Sequence, residues 1–199
     1  FWRKRSVRIR RRICAVLPED WHVRAYFAYA PEVRMELDPK ALSDDGYIID
    51  QRRTETISFG GCPSSKNGCG WIAAYNFLKA LDRTQDPEVL LRRLERTLLP
   101  GGKLGLNFFA LVHELRRQKV PLEFALRPFH AQELAQRNRA GIVLYRAGKT
   151  NHFAAFASQP DGTLRFFGAV PGYAHHNLSM AEFYWDYVKF PLTLTITAK

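Results

Sequence analysis

Residues Phe59–Leu81 read FGGCPSSKNGCGWIAAYNFLKAL, and the run divides in two at Cys69. Its first part, Phe59–Gly70, holds four glycines and a proline and is expected to be a loop. Its second part places apolar residues at 71, 74, 75, 78 and 81, the three-and-four spacing of a mostly buried helix, in a sequence rich in Ala and Leu. Cys69 therefore stands where a glycine-rich loop enters a helix. Oriented backbone amides and the positive end of the helix dipole favour thiolate at such a place, and thiolate is the reactive form of cysteine. Packing of a small apolar residue is the ordinary alternative for this cysteine.

Outward from this run, the chain reads as helices first and strands second. Asp86-Pro87 opens a helix whose apolar stripe is Val89, Leu90, Leu94 and Leu98, with proline in its first turn. After the Pro100-Gly101-Gly102 break, Leu106–Gln118 forms a third amphipathic helix. Strands are expected at Leu122–Leu126, Gly141–Tyr145, His152–Ser158, Thr163–Val170 and Leu192–Thr197, with the turn Pro160-Asp161-Gly162 between two of them. Short helices are expected at Phe129–Asn138 and Ser179–Tyr187. Upstream, the alternation in Gln51–Phe59 predicts one more strand. Helices followed by an antiparallel sheet make an α+β fold. The aromatic set Phe183, Tyr184, Trp185 and Tyr187 has helical spacing and is read as core packing.

Composition narrows the class. The chain has 199 residues, 46% hydrophobic and 25% charged, which excludes a disordered or fibrous protein. It has no run of 18 apolar residues for a membrane helix, and no apolar region follows the basic start as in a secretory signal. The net charge of +11 is concentrated at one end, because residues 1–12 hold seven of the 30 basic side chains and no acid. The rest is only mildly basic, so specific nucleic-acid recognition is not expected. Residues 1–12 fit a solvated tail, the cytoplasmic flank of a removed membrane helix against an anionic surface, or a site for polyanions.

Three cysteines, Cys14, Cys62 and Cys69, are not a disulfide framework, and they suit a reducing, cytoplasmic setting. Cys14 and Cys62 are read as structural. The six histidines show no zinc-like spacing, so neither metal nor cofactor is expected. A cysteine nucleophile needs an imidazole in hydrogen-bond reach. His152 suits that role, because it opens the buried strand His152–Ala157 just after the polar turn at 148–151. His113, mid-helix beside Glu114, is read as a surface residue. His130 is read as capping, and His175 and His176 as lying in a solvated turn.

A loop ending Asn67-Gly68-Cys69-Gly70, a helix headed by that cysteine, two more helices and then a strand opening on His152 together resemble the papain-like cysteine peptidases. Among these the pattern is nearest to the bacteriocin-processing peptidases, which cleave after double-glycine leaders, and the resemblance runs from about Cys62 to Tyr187. It implies N-terminal helices packed on a C-terminal antiparallel sheet. It also implies a single such domain over residues 13–199 behind the basic segment 1–12. The activity implied is that of a cysteine peptidase or related amidase or acyltransferase acting on a peptide of bacterial origin. Cys69 is then the nucleophile and His152 the base and acid, without a metal. The same resemblance puts the residue that orients the imidazole at or near Gly168, and an oxyanion-binding Gln at Pro63. With those side chains absent, Asn177 is the candidate to orient His152 and Asn67 the candidate oxyanion donor. A papain-like domain that binds a peptide without cleaving it is the alternative.

Overall fold

The computed structural model describes residues 35–60, 62–98, 105–147, 150–167, 177–188 and 194–198. Residues 1–12, Cys14, His22, the glycine break at 101–102, Gly168, His175 and His176 lie outside them.

The chain enters through two single 3-10 turns, Pro39–Ala41 and Gln51–Thr54. The second occupies the start of the expected strand Gln51–Phe59. The Asp50 side chain accepts from the Arg52 N–H at 3.0 Å and the Thr54 hydroxyl donates to the Gln51 carbonyl at 2.7 Å, so local polar bonds override the alternating pattern. Only β1 (Ser58–Phe59) is strand there, and it pairs with β2 (Cys62–Pro63) across a turn in which Gly60 has φ +65°. The segment expected to be loop thus carries β2 and a single helical turn, α1 (Ser64–Asn67), closed by the Gly68 N–H on the Ser64 carbonyl at 2.7 Å.

The central helix is α2 (Cys69–Ala80). Trp71, Ile72, Ala73, Ala74, Phe77 and Leu78 are all buried, and a helix apolar on nearly every side belongs in the interior. Helix α3 (Pro87–Glu95) starts at Asp86, whose carboxylate accepts from the Glu88 and Val89 amides. Helix α4 (Phe108–Arg117) starts at Asn107 in the same way and closes on two arginines. Helices α5 (Pro128–Arg137) and α6 (Met180–Tyr187) follow, the latter behind a Ser179/Glu182 capping box.

The strands are β3 (Glu123–Ala125), β4 (Ala140–Ala147), β5 (Thr150–Ser158), β6 (Leu164–Phe167), β7 (Asn177–Leu178) and β8 (Leu194–Ala198). They form an antiparallel sheet in the order β3-β8-β4-β5-β6-β7, helices first and sheet second as expected. One face, with Ile142, Phe153, Ala155 and Ile196, shares a core with α2, α3 and α4. The other, with Val143, Tyr145, Ala154, Phe156 and Phe166, packs on α5 and α6. Near the start of β4, a Cβ on Gly141 would lie 2.7 Å from the Ile196 carbonyl, so only glycine lets β8 approach.

Candidate active site

Each residue of the Asn67–Gly70 run has a spatial reason. A Cβ on Gly68 would sit 2.5 Å from the Ser64 carbonyl and 2.8 Å from the Trp71 indole nitrogen, while that indole donates to the Ser64 hydroxyl at 2.8 Å. Gly68 is needed for room, since its φ of −78° suits any residue. A Cβ on Gly70 would lie 2.6 Å from that of Leu106, so the strand-like approach to α4 closes over the start of α2. The Asn67 amide nitrogen donates to the Phe59 carbonyl at 2.7 Å. Gln51, which the alternating pattern assigned to a strand, is buried and donates to the Ser64 and Ser65 carbonyls at 3.0 and 3.2 Å, bracing α1 from behind.

Held in this way, Cys69 presents its thiol to the start of β5. Backbone N–H groups of Phe153, Gly70 and Cys69 itself bond the sulfur, and all three favour thiolate. Burial acts in the opposite direction and is larger, so the thiol lies above its ordinary value. The helix start alone predicts a lowered thiol. Desolvation by the packed sheet reverses that sign.

His152 precedes Phe153 on the same strand, partly buried. Burial lowers its imidazole from 6.5 to about 4, so it is neutral at pH 7. Its Nε2 is enclosed and has no hydrogen-bond partner among the described residues. Strand alternation puts Phe153 on the α2 face and His152 on the face of Ala154 and Phe156. The residue against the imidazole is Tyr145, directly across from it in the β4–β5 ladder, with ring centroids 5.7 Å apart at 80°. Tyr145 also feels charge on Cys69, which raises its phenol further above a value already lifted by burial. Cys69 and the Phe153 amide meet on the α2 side of β5, while the His152 and Tyr145 rings pack together on its other face.

Other sequence candidates fall elsewhere. Asn177 pairs with Arg165, which is level with Ala157, five residues along β5 from His152. At about 3.3 Å per residue that is roughly 16 Å along the strand, so Asn177 does not reach the imidazole. Pro63 ends β2 and leads into α1. His113 and His130 are exposed. Phe183 is buried, Tyr184 and Tyr187 pack beside it, and Trp185 is 88% exposed, which departs from the core reading of that helix. The sequence reading missed Tyr145 and Gln51. Tyr145 had a legible signal, since pairing Ala147 with Thr150 puts it opposite His152. Gln51 had none.

No protein-family model and no curated protein matches the chain. Among solved structures it is similar to the peptidase domain of Streptococcus ComA, a bi-functional ABC transporter involved in a quorum sensing pathway, at 13% identity and a TM-score of 0.49 over 67% of this chain and 93% of that one.

Proposed function

We propose that the chain is a cysteine peptidase, or a related thiol amidase or acyltransferase, acting on a peptide through Cys69 and His152. One observation carries the reading: the thiol at the head of α2 is bonded by the amide of Phe153, the residue next to His152. On this reading the imidazole of His152, one residue along β5 from that amide, reaches the thiol. In the reaction, Sγ attacks an amide carbonyl carbon while the imidazole takes the thiol proton. The same imidazole then protonates the leaving amine, and water releases the acyl group from sulfur. Because the free pair is neutral, proton transfer accompanies attack instead of preceding it. Amides at the start of α2 are the donors nearest to a developing oxyanion. One of the Asn67 amide hydrogens is already committed to Phe59.

A peptide-binding domain without turnover is the second reading, favoured by the His152 Nε2, which has no partner among the described residues, and by proline at position 63. Incubation with a peptide aldehyde ending in Gly-Gly, followed by mass spectrometry, separates the two. An adduct on Cys69 that Cys69→Ala abolishes and His152→Ala slows supports the enzyme. Reversible binding without an adduct supports the binding domain. We further propose that residues 1–12 attach the chain to an anionic surface from the cytoplasmic side. Binding to anionic vesicles that falls steeply with salt, and disappears on deleting 1–12, is the expected result.

A further inference from the structure

We propose that Tyr145 is the positioning residue for His152, holding the imidazole edge-to-face where no described residue bonds its Nε2. The inference rests on the Cys69–His152 reading and adds what sets the base in place. Directly opposed residues of an antiparallel pair bring their side chains together, and Tyr145 and His152 are such a pair. Their ring geometry, 5.7 Å and 80°, is a preferred aromatic arrangement.

Tyr145 is itself immobilised. It is 2% exposed and meets Phe183 of α6 at 5.2 Å and 79°, and Phe183 stacks on Phe166 of β6 at 4.2 Å and 5°. A ring locked by close packing on its far side transmits that fixity to whatever rests on its near side. No polar atom does this from the Nε2 end, where the nitrogen has no partner among the described residues. Asn177, the polar candidate, lies far along the sheet. Among the described residues, the groups whose charge bears on the Tyr145 phenol are Cys69 from α2 and Tyr187 from α6. Neither of them is a cation or carboxylate. Burial keeps the imidazole neutral, and the Tyr145 ring is one wall of that burial.

The test follows the His152 C–H resonances by NMR in the whole chain, together with the rate of Cys69 adduct formation by the Gly-Gly aldehyde. In the wild type, through-space contacts join the Tyr145 ring to the imidazole protons, and the titration midpoint lies near 4. Tyr145→Phe keeps the ring and is expected to keep both midpoint and trapping rate within about twofold. Tyr145→Leu is expected to raise the midpoint by about one unit, a tenfold change in proton affinity, and to slow trapping by about tenfold. A folded Tyr145→Leu chain with unchanged midpoint and rate overturns the proposal. So does a wild type lacking the ring contact, or a Tyr145→Phe chain that loses the low midpoint, and these two decide the matter if the leucine variant does not fold. His152→Ala tests the underlying pair separately: unchanged trapping there removes the dyad while leaving the ring contact intact.

Discussion

Acidification tests the buried imidazole through stability. His152 is lowered to about 4 in the folded chain from 6.5. Between these values the unfolded chain binds the extra proton, so this group lowers folding stability as pH falls through the window from 6.5 to 4, and its full cost is reached below it. A gap of about 2.5 units at 1.36 kcal/mol each corresponds to about 3 kcal/mol. Carboxylates also titrate as the acid deepens. Asp45, held down to about 2 by Arg165, and Glu114, whose burial is outweighed by bonds from Arg117 and Gln118, both favour the folded state above the unfolded carboxylate range. They are common to wild type and His152→Gln, so they cancel in the difference. Urea unfolding at intervals from pH 7.5 to 4.5 should show the wild type losing about 2–3 kcal/mol more than His152→Gln. Parallel losses in the two chains, or an NMR midpoint near 6.5, would refute the dry, unpaired imidazole.

Other consequences are equally concrete. Asn76 is fully buried, accepting from the Ile48 N–H at 2.9 Å and donating to the Ile48 carbonyl at 2.8 Å, so it stands in for a strand neighbour. Asn76→Ala leaves both backbone groups unpaired and should cost about 2–4 kcal/mol in urea unfolding. Gly70→Ala drives a methyl into Leu106 and should cost about 1–3 kcal/mol, with Leu106→Ala in the same chain giving a smaller combined loss than the sum of the singles. Because burial raises the Cys69 thiol, its iodoacetamide alkylation at pH 7.5 should be slower than that of an ordinary thiol and still rising at pH 9.0, as read by mass spectrometry of the labelled peptide. A plateau near neutral pH would show that the helix amides prevail over desolvation.

The helices and strands nearest the chemistry were legible because their signals are local. The spacing of Trp71, Ala74 and Leu78, the Asp86-Pro87 start and the Ser179–Glu182 pair each act within a turn or two of helix. The failures share one cause. Gln51–Phe59 was expected to be a strand from the alternation in its second half, yet the Asp50 cap and the Thr54 hydroxyl bend its first four residues into a 3-10 turn. The glycine-rich run hides α1, which survives because Gln51 and Trp71, far apart in sequence, both bond Ser64.

By itself the sequence determined that a cysteine heads a buried helix, that a histidine lies in the first part of a later strand (which begins at Thr150, two residues before the expected start), and that helices precede an antiparallel sheet. Periodicity, capping and turn chemistry are properties of neighbouring residues, so they can be read along the chain. Only the tertiary structure decided the charge state of the pair and what stands behind the imidazole. Desolvation depends on everything packed around a group, and it outweighs the amides at the head of α2. The ring against His152 comes from Tyr145 through strand pairing, while Asn177 is carried out of reach by the register of β6 and β7.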